Sequence, residues 1–264
     1  MNEASESERT QRKVLLDRTL ASQLDQVLLE SAVRALAGTP EIGVLFSGGL
    51  DSSFLAAFLS RKWQVTLESI GVAGSPDALA AREGAELLGL PWLSHEIGGD
   101  DLRRIRLRFH HEFDGLREPR RGVAVAFALA LELASKPILV CGQGADELFF
   151  GYAHYRGLSI PSRLRRRAED LERLEHDDWP LAQRLAGACG RRVVAPFLDP
   201  QFVRLILQLP EGVAAEGLET KPLLRAWARE RGLSATLAGR PKRALQYGSG
   251  ISKLLEQEDR RQPK

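Results

Sequence analysis

Cysteine and methionine are scarce in this chain of 264 residues, which has two cysteines (Cys141 and Cys189) and one methionine. The two cysteines cannot build a disulfide framework and do not show the close spacing of zinc ligands. Long apolar runs are also missing, which excludes membrane-spanning helices, and the polar first residues do not resemble a signal peptide. We therefore expect a cytoplasmic protein with no membrane partner.

The chain also lacks an excess of either positive or negative charge. The 37 lysines and arginines nearly balance 35 acidic residues, so the formal net charge is only +2. This balance argues neither for nor against a nucleic-acid partner. Two local arginine clusters could contact nucleic acid, but we interpret them as solvated helix faces and expect no such partner. They comprise Arg103, Arg104, Arg106 and Arg108, and Arg163 with Arg165–Arg167.

What the chain does contain is a regular alternation of strand-like and helix-like segments. Short apolar runs predict strands at 42–46, 65–72, 92–97, 137–141 and 193–196, with helical patterns between them. This order predicts an α/β fold: a doubly wound, mostly parallel sheet with helices on both faces and a mainly helical C-terminal part. We further predict a disordered lead-in at 1–12, an N-terminal helix at 13–38 and one domain at 39–264.

The first predicted strand runs into a glycine turn. Ser47-Gly48-Gly49 follows the strand, and Asp51, Ser52 and Ser53 then open an amphipathic helix with residue types that cap helix N-termini. Free amide groups and the positive end of a helix dipole would meet there, which predicts an anion site. Because a carboxylate next to a bound phosphate is repulsive unless a cation lies between them, Asp51 implies Mg²⁺.

A second glycine turn follows the fourth predicted strand. Here Gly142-Gln143-Gly144-Ala145 leads into Asp146 and Glu147. Ligands of parallel sheets bind outside the carboxyl ends of the strands, so both turns can face one ligand. Asp146 would then supply a second carboxylate for Mg²⁺. Taken alone, the two acids could simply favour a first helical turn.

Ser47-Gly48-Gly49-Leu50-Asp51-Ser52-Ser53 resembles the pyrophosphate-binding loop (PP-loop) of the N-type ATP pyrophosphatases, which split ATP between the α and β phosphates. Together with five further motifs, residues 40–255 resemble the synthetase domain of the asparagine synthetases. The further motifs are Gly74-Ser75-Pro76-Asp77, Cys141 to Tyr152, Pro196-Phe197-Leu198-Asp199, Thr220-Lys221-Pro222-Leu223-Leu224-Arg225 and Arg240 to Gly250.

The resemblance implies an adenine nucleotide alpha hydrolase-like fold that binds ATP and Mg²⁺. Asp51 and Asp146 match the metal ligands, and Lys242 matches a lysine that neutralises phosphate charge in the transition state. Lys221 and Arg240 could add to the same field. The matched pyrophosphate cradle is Ser47, Gly48, Gly49, Asp51 and Ser52, and the matched adenosine positions are Leu45, Ile70, Cys141 and Gly142.

Two positions depart from the family pattern, and both lie on the side of the second substrate. Gln143 stands where these enzymes usually have a glutamate, and an amide cannot accept a proton as a base. Val194 stands where they tend to have an arginine. From the resemblance we expect Lys242, Gln143 and Glu147 to be the catalytic residues. The two departures leave the identity of the acceptor open.

The resemblance implies an ATP-dependent amide ligase. Mg-ATP would adenylate a small-molecule carboxylate, with aspartate the first candidate, and ammonia or an amine would then form the amide. Relatives that hydrolyse glutamine begin with an amidotransferase domain, for which residues 1–40 leave no room. We therefore expect free ammonia, another amine, or a separate glutaminase partner. The alternatives are a tRNA-modifying PP-loop pyrophosphatase and a non-catalytic ATP-binding regulatory homologue; the oligomeric state is open.

Overall fold

A computed structural model of the protein describes residues 16–210, 213, 219–241 and 245–261. Five parallel strands form a sheet in the order β3-β2-β1-β4-β5. The sheet order reverses between β1 and β4, so the crevice of a doubly wound sheet opens at the carboxyl ends of these two strands. The strands are β1 (Glu41–Leu45), β2 (Gln64–Gly71), β3 (Trp92–Glu96), β4 (Ile138–Val140) and β5 (Arg192–Val194).

Helices connect the strands and make up most of the chain after β4, as predicted. Their bounds are α1 (Arg18–Ala35), α2 (Leu50–Leu59), α3 (Pro76–Leu88), α4 (Gly99–Arg108), α5 (His110–Phe113), α6 (Arg120–Leu133), α7 (Ala145–Leu148), α8 (Ile160–Arg173), α9 (Trp179–Ala188), α10 (Pro200–Gln208), α11 (Pro222–Glu230), α12 (Ala235–Gly239), α13 (Leu245–Gly248) and α14 (Ile251–Arg261).

Two apolar clusters cover the two faces of the sheet. In β4, Val140 belongs to a cluster with α1, α2, α10 and α11, whereas Leu139 belongs to one with α4, α6, α9 and α14. Successive side chains of a strand point to opposite faces, so this division places helices on both sides. The predicted doubly wound α/β fold is confirmed.

An aromatic contact fixes α2 relative to α11. Phe54 and Trp227 are both buried, with ring centroids 4.4 Å apart, and the Trp227 indole N–H donates to Asp25 of α1 at 2.8 Å. Burial of each large side chain contributes about 1.5–3 kcal/mol. Phe54 lies one turn beyond Asp51, and Trp227 lies in the helix that follows Lys221, so this contact joins the two elements that carry those charged residues.

The N-terminal helix predicted at 13–38 is described only from residue 16 onward, because residues 13–15 lie outside the described part of the chain. It begins at Arg18, where the Asp17 carboxylate accepts a hydrogen bond from the Leu20 amide at 2.7 Å, and it ends at Ala35. The predicted disordered lead-in at 1–12 lies outside the described residues. No helix in the described part of the chain is both long enough and apolar enough to cross a membrane.

Candidate active site

The turn after β1 presents an uncapped helix N-terminus. The N-cap of α2 is Gly49, and no side chain caps the first turn; Asp51, Ser52 and Ser53, predicted to open this helix as capping types, instead lie inside it. The Ser52 hydroxyl donates to the Gly49 carbonyl at 3.3 Å and accepts from the Ser47 amide at 3.4 Å. The first amides of α2 are therefore left for an external acceptor, as an anion site requires.

Gly48 holds this turn against α3. Its φ of +68° is in the left-handed region, and a Cβ there would lie 2.2 Å from the Ala80 carbonyl oxygen. The Arg240 guanidinium donates to the carbonyls of Gly48 and Ala80 at 2.7 and 2.8 Å and pairs with Glu83. Arg240 thus binds the loop backbone, a role that the sequence did not indicate.

The turn after β4 contributes carboxylates rather than amides. Asp146 and Glu147 lie in the short helix α7, directly after Gly142-Gln143-Gly144. One lysine contacts both Asp146 and Asp51 of the first turn, so the two carboxylates lie close together. Nζ of Lys221 lies 2.5 Å from Oδ2 of Asp51 and 2.8 Å from Oδ1 of Asp146.

These two carboxylate oxygens are at most 5.3 Å apart, the sum of the two contacts to Nζ. At an effective dielectric constant of about 20, two like charges about 5 Å apart repel by roughly 3 kcal/mol. Lys221, only 3% exposed, neutralises this repulsion. Burial lowers the pKa of Lys221, but the carboxylates of Asp146 and Asp51 outweigh burial, and the pKa lies above its usual value.

The residues at this point suit Mg²⁺ bound together with phosphates. Oδ1 of Asp51 is buried and has no hydrogen-bond partner among the described residues, so it is available as a ligand. Within the described chain, no cluster of three or more histidine, cysteine or acidic side chains could hold a metal. Mg²⁺ commonly uses one or two carboxylates and takes its remaining ligands from substrate phosphates and water.

Glu147, the residue after Asp146, has a pKa near neutrality. Burial, and then the charge of Asp146, raise the pKa of Glu147 to about 7, and the Tyr152 hydroxyl donates to it at 2.6 Å. That hydrogen bond favours the ionised form and opposes the shift. The motif that contains Tyr152 does not indicate this contact with Glu147.

Both turns open into one large cavity of about 1340 Å³. Pockets that bury a drug-sized ligand are about 300–1,000 Å³, so the cavity has room for a nucleotide and a second substrate. Gly48 packs against α3 and does not line the cavity, and Lys242 lies outside the described residues. The other predicted site residues all line the cavity: Leu45, Ser47, Gly49, Asp51, Ser52, Ile70, Cys141, Gly142, Gln143, Asp146 and Glu147.

The two departures from the family pattern lie in different surroundings. Gln143 lines the cavity between Gly142 and Asp146. Val194 is buried in the apolar cluster of α1 and α2, and its carbonyl accepts from the Cys141 amide at 2.9 Å. The apolar residue at 194 therefore supports the β4 turn through its backbone and brings no charge to the cavity.

Arginines line the part of the cavity formed by α6, α8 and the 152–156 segment. Arg120 and Arg173 are held by acidic partners: Arg120 pairs with Asp178 at 2.8 Å and Arg173 with Asp170 at 3.0 Å. This region differs from the two turns in the number of guanidinium groups that line it. Its arginines are Arg117, Arg120, Arg156, Arg166 and Arg173, and the acidic partners Asp178, Glu169 and Asp170 offset the charge of three of them.

Most arginines of the two sequence clusters have intramolecular partners. In the first cluster, Arg103 pairs with Glu258 at 2.5 Å and Arg106 with Asp259 at 2.7 Å. In the second, Arg166 pairs with Glu169 at 2.8 Å, and Arg167 lies over the Phe150 ring at 5.1 Å. Arg167 is only 8% exposed, so the predicted solvated helix face is wrong for that residue.

The residues that sequence reasoning undervalued share one property: they act on residues far away in the chain. Lys221 contacts a carboxylate 170 positions earlier, and Arg240 contacts a carbonyl 192 positions earlier. Motif matching had drawn attention to both as added positive charge. Nothing in the sequence indicated which groups they would contact.

The family model and the most similar relatives found by comparison with known proteins agree on one family. The family model described as Asparagine synthase matches residues 23–181 and 165–261. The asparagine synthetase [glutamine-hydrolyzing] of Gallus gallus is 31% identical over 245 residues, covering 84% of this chain and 42% of that protein. A Methanocaldococcus jannaschii protein, provisionally designated asparagine synthetase [glutamine-hydrolyzing] 1, is 26% identical over 271 residues, covering 88% of this chain and 50% of its own.

A solved structure from Methanocaldococcus jannaschii, described as a predicted subunit of tRNA methyltransferase, matches with a TM-score of 0.36 and 18% identity, covering 74% of this chain and 89% of that one. That likeness is too weak to carry an argument. The chain spans about half the length of the curated relatives it matches. Because the family model extends over most of the sequence, from residue 23 to residue 261, the chain belongs to the asparagine synthase family.

Proposed function

We propose that this protein is an ATP-dependent amide ligase that adenylates a carboxylate and releases pyrophosphate. The observation that carries the proposal is the meeting of Asp51 and Asp146 at the point where the sheet order reverses, beside the uncapped N-terminus of α2. An anion site and a pair of carboxylates at one crevice suit a nucleotide bound through phosphates and Mg²⁺.

Each turn has its own part in the proposed reaction. The amides at the start of α2, with the hydroxyls of Ser47 and Ser52, would bind phosphate oxygens. Asp51 and Asp146 would hold Mg²⁺, which when bound neutralises phosphate charge and polarises the phosphoryl group. Leu45, Ile70 and Cys141 supply an apolar wall for the adenosine. Lys242 remains a predicted catalytic residue.

The acceptor would lie toward the arginine-lined part of the cavity. Positive side chains there suit a substrate with a second anionic group, and aspartate is the first candidate because it has two carboxylates. Gln143 can orient the acyl group by hydrogen bonds but cannot take the proton of the attacking ammonia or amine. Glu147, whose carboxylate accepts a hydrogen bond from Tyr152, also lines the cavity and stays predicted as catalytic.

The test is the chemical identity of the products. ATP, Mg²⁺, ammonium and single amino acids are incubated with the protein, and AMP, pyrophosphate and amide are measured. We expect AMP and pyrophosphate in equal amounts in the presence of a suitable carboxylate. Asp51→Asn and Asp146→Asn should each lower the rate at least about 100-fold, since each removes charge from the phosphate site.

Asp100→Asn provides the matched control, because Asp100 is almost fully exposed and lies on α4 away from the cavity. It should turn over like the wild type. ADP and inorganic phosphate as products, or full activity in Asp51→Asn, would contradict the proposal. ATP binding without turnover by the wild type, with amide formation restored by Gln143→Glu, would instead support the non-catalytic regulatory alternative.

A further inference from the structure

We propose that Lys221 is the resident counter-ion of the Asp51–Asp146 pair and that it makes divalent-cation binding depend on the nucleotide. The inference rests on the proposed function, because it takes these two carboxylates as the Mg²⁺ ligands. It adds a role for a residue that no motif assigned to the metal: in the absence of substrate, the ammonium occupies the place between the ligands.

The position of the Lys221 side chain is narrowly determined. Its backbone has φ +57° and ψ +48°, a left-handed conformation rare outside glycine, and Pro222 starts α11 directly after it. The preceding residue is held too, because the Arg225 side chain donates to the Thr220 carbonyl at 2.7 Å. An observed backbone outlier at a site of converging charges is a recognised sign of functional constraint.

Packing around the ammonium leaves one direction open. Lys221 is 3% exposed, whereas Asp51 and Asp146 retain 26% and 21% exposure toward the cavity. Gly151 closes the other side, since a Cβ there would lie 2.2 Å from Cε of Lys221 and 2.0 Å from Oδ1 of Asp146. The ammonium thus lies between the two carboxylates at a buried point of the cavity wall, and the carboxylates are the more exposed groups.

Charge balance then distinguishes a free metal ion from one that arrives with phosphates. The pair and Lys221 together carry one net negative charge, and a divalent ion entering alone meets an ammonium already bound to both carboxylates. Phosphates supply new anions for the ammonium and for the metal, so they relieve this competition. By linkage, the nucleotide should raise the affinity for the metal and the metal that for the nucleotide.

The experiment measures binding and needs no turnover. Free Mn²⁺ is followed by electron paramagnetic resonance with and without the α,β-methylene analogue of ATP, corrected for Mn²⁺ bound to the analogue in solution. We expect wild-type protein to bind Mn²⁺ alone at least about tenfold more weakly than with the analogue. Lys221→Met should bind Mn²⁺ alone at least about tenfold more tightly than wild type, with little further gain from the analogue.

Two further variants test whether the charge of Lys221 matters and whether its position in the site matters. Lys221→Arg keeps the cation and should bind Mn²⁺ alone more weakly than Lys221→Met does. Lys136→Met removes a lysine that pairs with Glu41 outside the cavity, at 2.6 Å, and should change nothing. Thermal melts establish that each variant is folded, and Lys221→Gln replaces Lys221→Met if the apolar side chain prevents folding.

The inference is overturned if wild-type protein binds Mn²⁺ equally well with and without the analogue. It is also overturned if loss of the Lys221 charge leaves the affinity for Mn²⁺ alone unchanged. Both results concern Lys221 and leave the ligase proposal standing. Absence of Mn²⁺ binding in every variant, even with the analogue, would overturn the metal site itself and with it the proposed function.

Discussion

The two glycine turns at the carboxyl edge of the sheet look alike in sequence but offer opposite chemistry. The turn after β1 leads into α2, a ten-residue helix whose N-terminus has no side-chain cap. The turn after β4 leads into α7, a four-residue helix that presents Asp146 and Glu147. The first offers hydrogen-bond donors to an anion, and the second offers carboxylates to a cation.

The difference shows why neither turn forms the site by itself. A bound phosphate needs a cation between it and the carboxylates, and that cation needs ligands from both turns. The shared contact is Lys221, which reaches Asp51 in one turn and Asp146 in the other. Variants that damage one turn at a time should therefore separate anion binding from cation binding.

Gly151→Ala should have the largest effect, because it damages the point where the turns meet. The new Cβ would lie 2.0 Å from Oδ1 of Asp146 and 2.2 Å from Cε of Lys221. Displacing these groups by about 1 Å should lower the adenylation rate at least about 100-fold, and overpacking should cost roughly 1–3 kcal/mol of stability. Pyrophosphate release and urea denaturation measure the two effects.

Gly187→Ala is the control for that variant, because Gly187 lies in α9 with open space where its Cβ would be placed. It should keep full activity and, as a glycine replaced by a good helix former, gain up to about 1 kcal/mol in stability. Equal losses in the two variants would show that the close approach at Gly151 is unimportant.

Gly48→Ala should affect the turn after β1 selectively. A Cβ would lie 2.2 Å from the Ala80 carbonyl, so the loop must move away from α3 and from Arg240. We expect the KM for ATP to rise about tenfold or more, equivalent to about 1.4 kcal/mol of binding. Mn²⁺ binding to the protein without nucleotide should change less, because only Asp51 of the proposed ligands belongs to this turn.

Gly89→Ala separates backbone strain from lack of space. Gly89 has a similar left-handed φ of +63°, at the end of α3, and a Cβ added there would have no other atom within 4 Å. It should lose about 1–2 kcal/mol of stability from strain and keep the wild-type KM for ATP. A matching rise of KM in Gly89→Ala would attribute the Gly48 effect to general destabilisation.

Tyr152→Phe should have the smallest effect at pH 6 and a larger effect at higher pH. The pKa of Glu147 is raised from 4.5 to about 7, so the protein loses stability as pH rises through this window and the carboxyl must ionise in place. Without the Tyr152 hydroxyl the pKa rises further. We expect a loss of about 1 kcal/mol at pH 6 and about 2 kcal/mol at pH 8, since charged acceptors form stronger hydrogen bonds.

Urea denaturation at the two pH values measures this difference. Tyr247→Phe is the control, because Tyr247 is 63% exposed at the rim of the cavity and should tolerate the change at both pH values. A loss that is the same at pH 6 and pH 8 would show that the Tyr152 hydroxyl does not act through the ionised form of Glu147.

Much of the fold and part of the site were predictable. The five strands were predicted to within one or two residues, because apolar runs bounded by glycine and proline leave few alternatives. The convergence of Asp51 and Asp146 followed from parallel strands with their carboxyl ends on one edge. The contacts of Arg240 were not predictable, because a long side chain can reach many partners and only packing selects one.

The sequence by itself determined the element order, the two turns and the family of this protein, since these depend on local periodicity, turn residues and short motifs. Tertiary structure alone decided that Lys221 lies between two carboxylates from different turns. It also decided that Tyr152 binds Glu147 and that Arg240 holds the Gly48 backbone. The physical reason is that charge pairing depends on distances of a few ångströms, which long-range packing such as the Phe54–Trp227 contact sets.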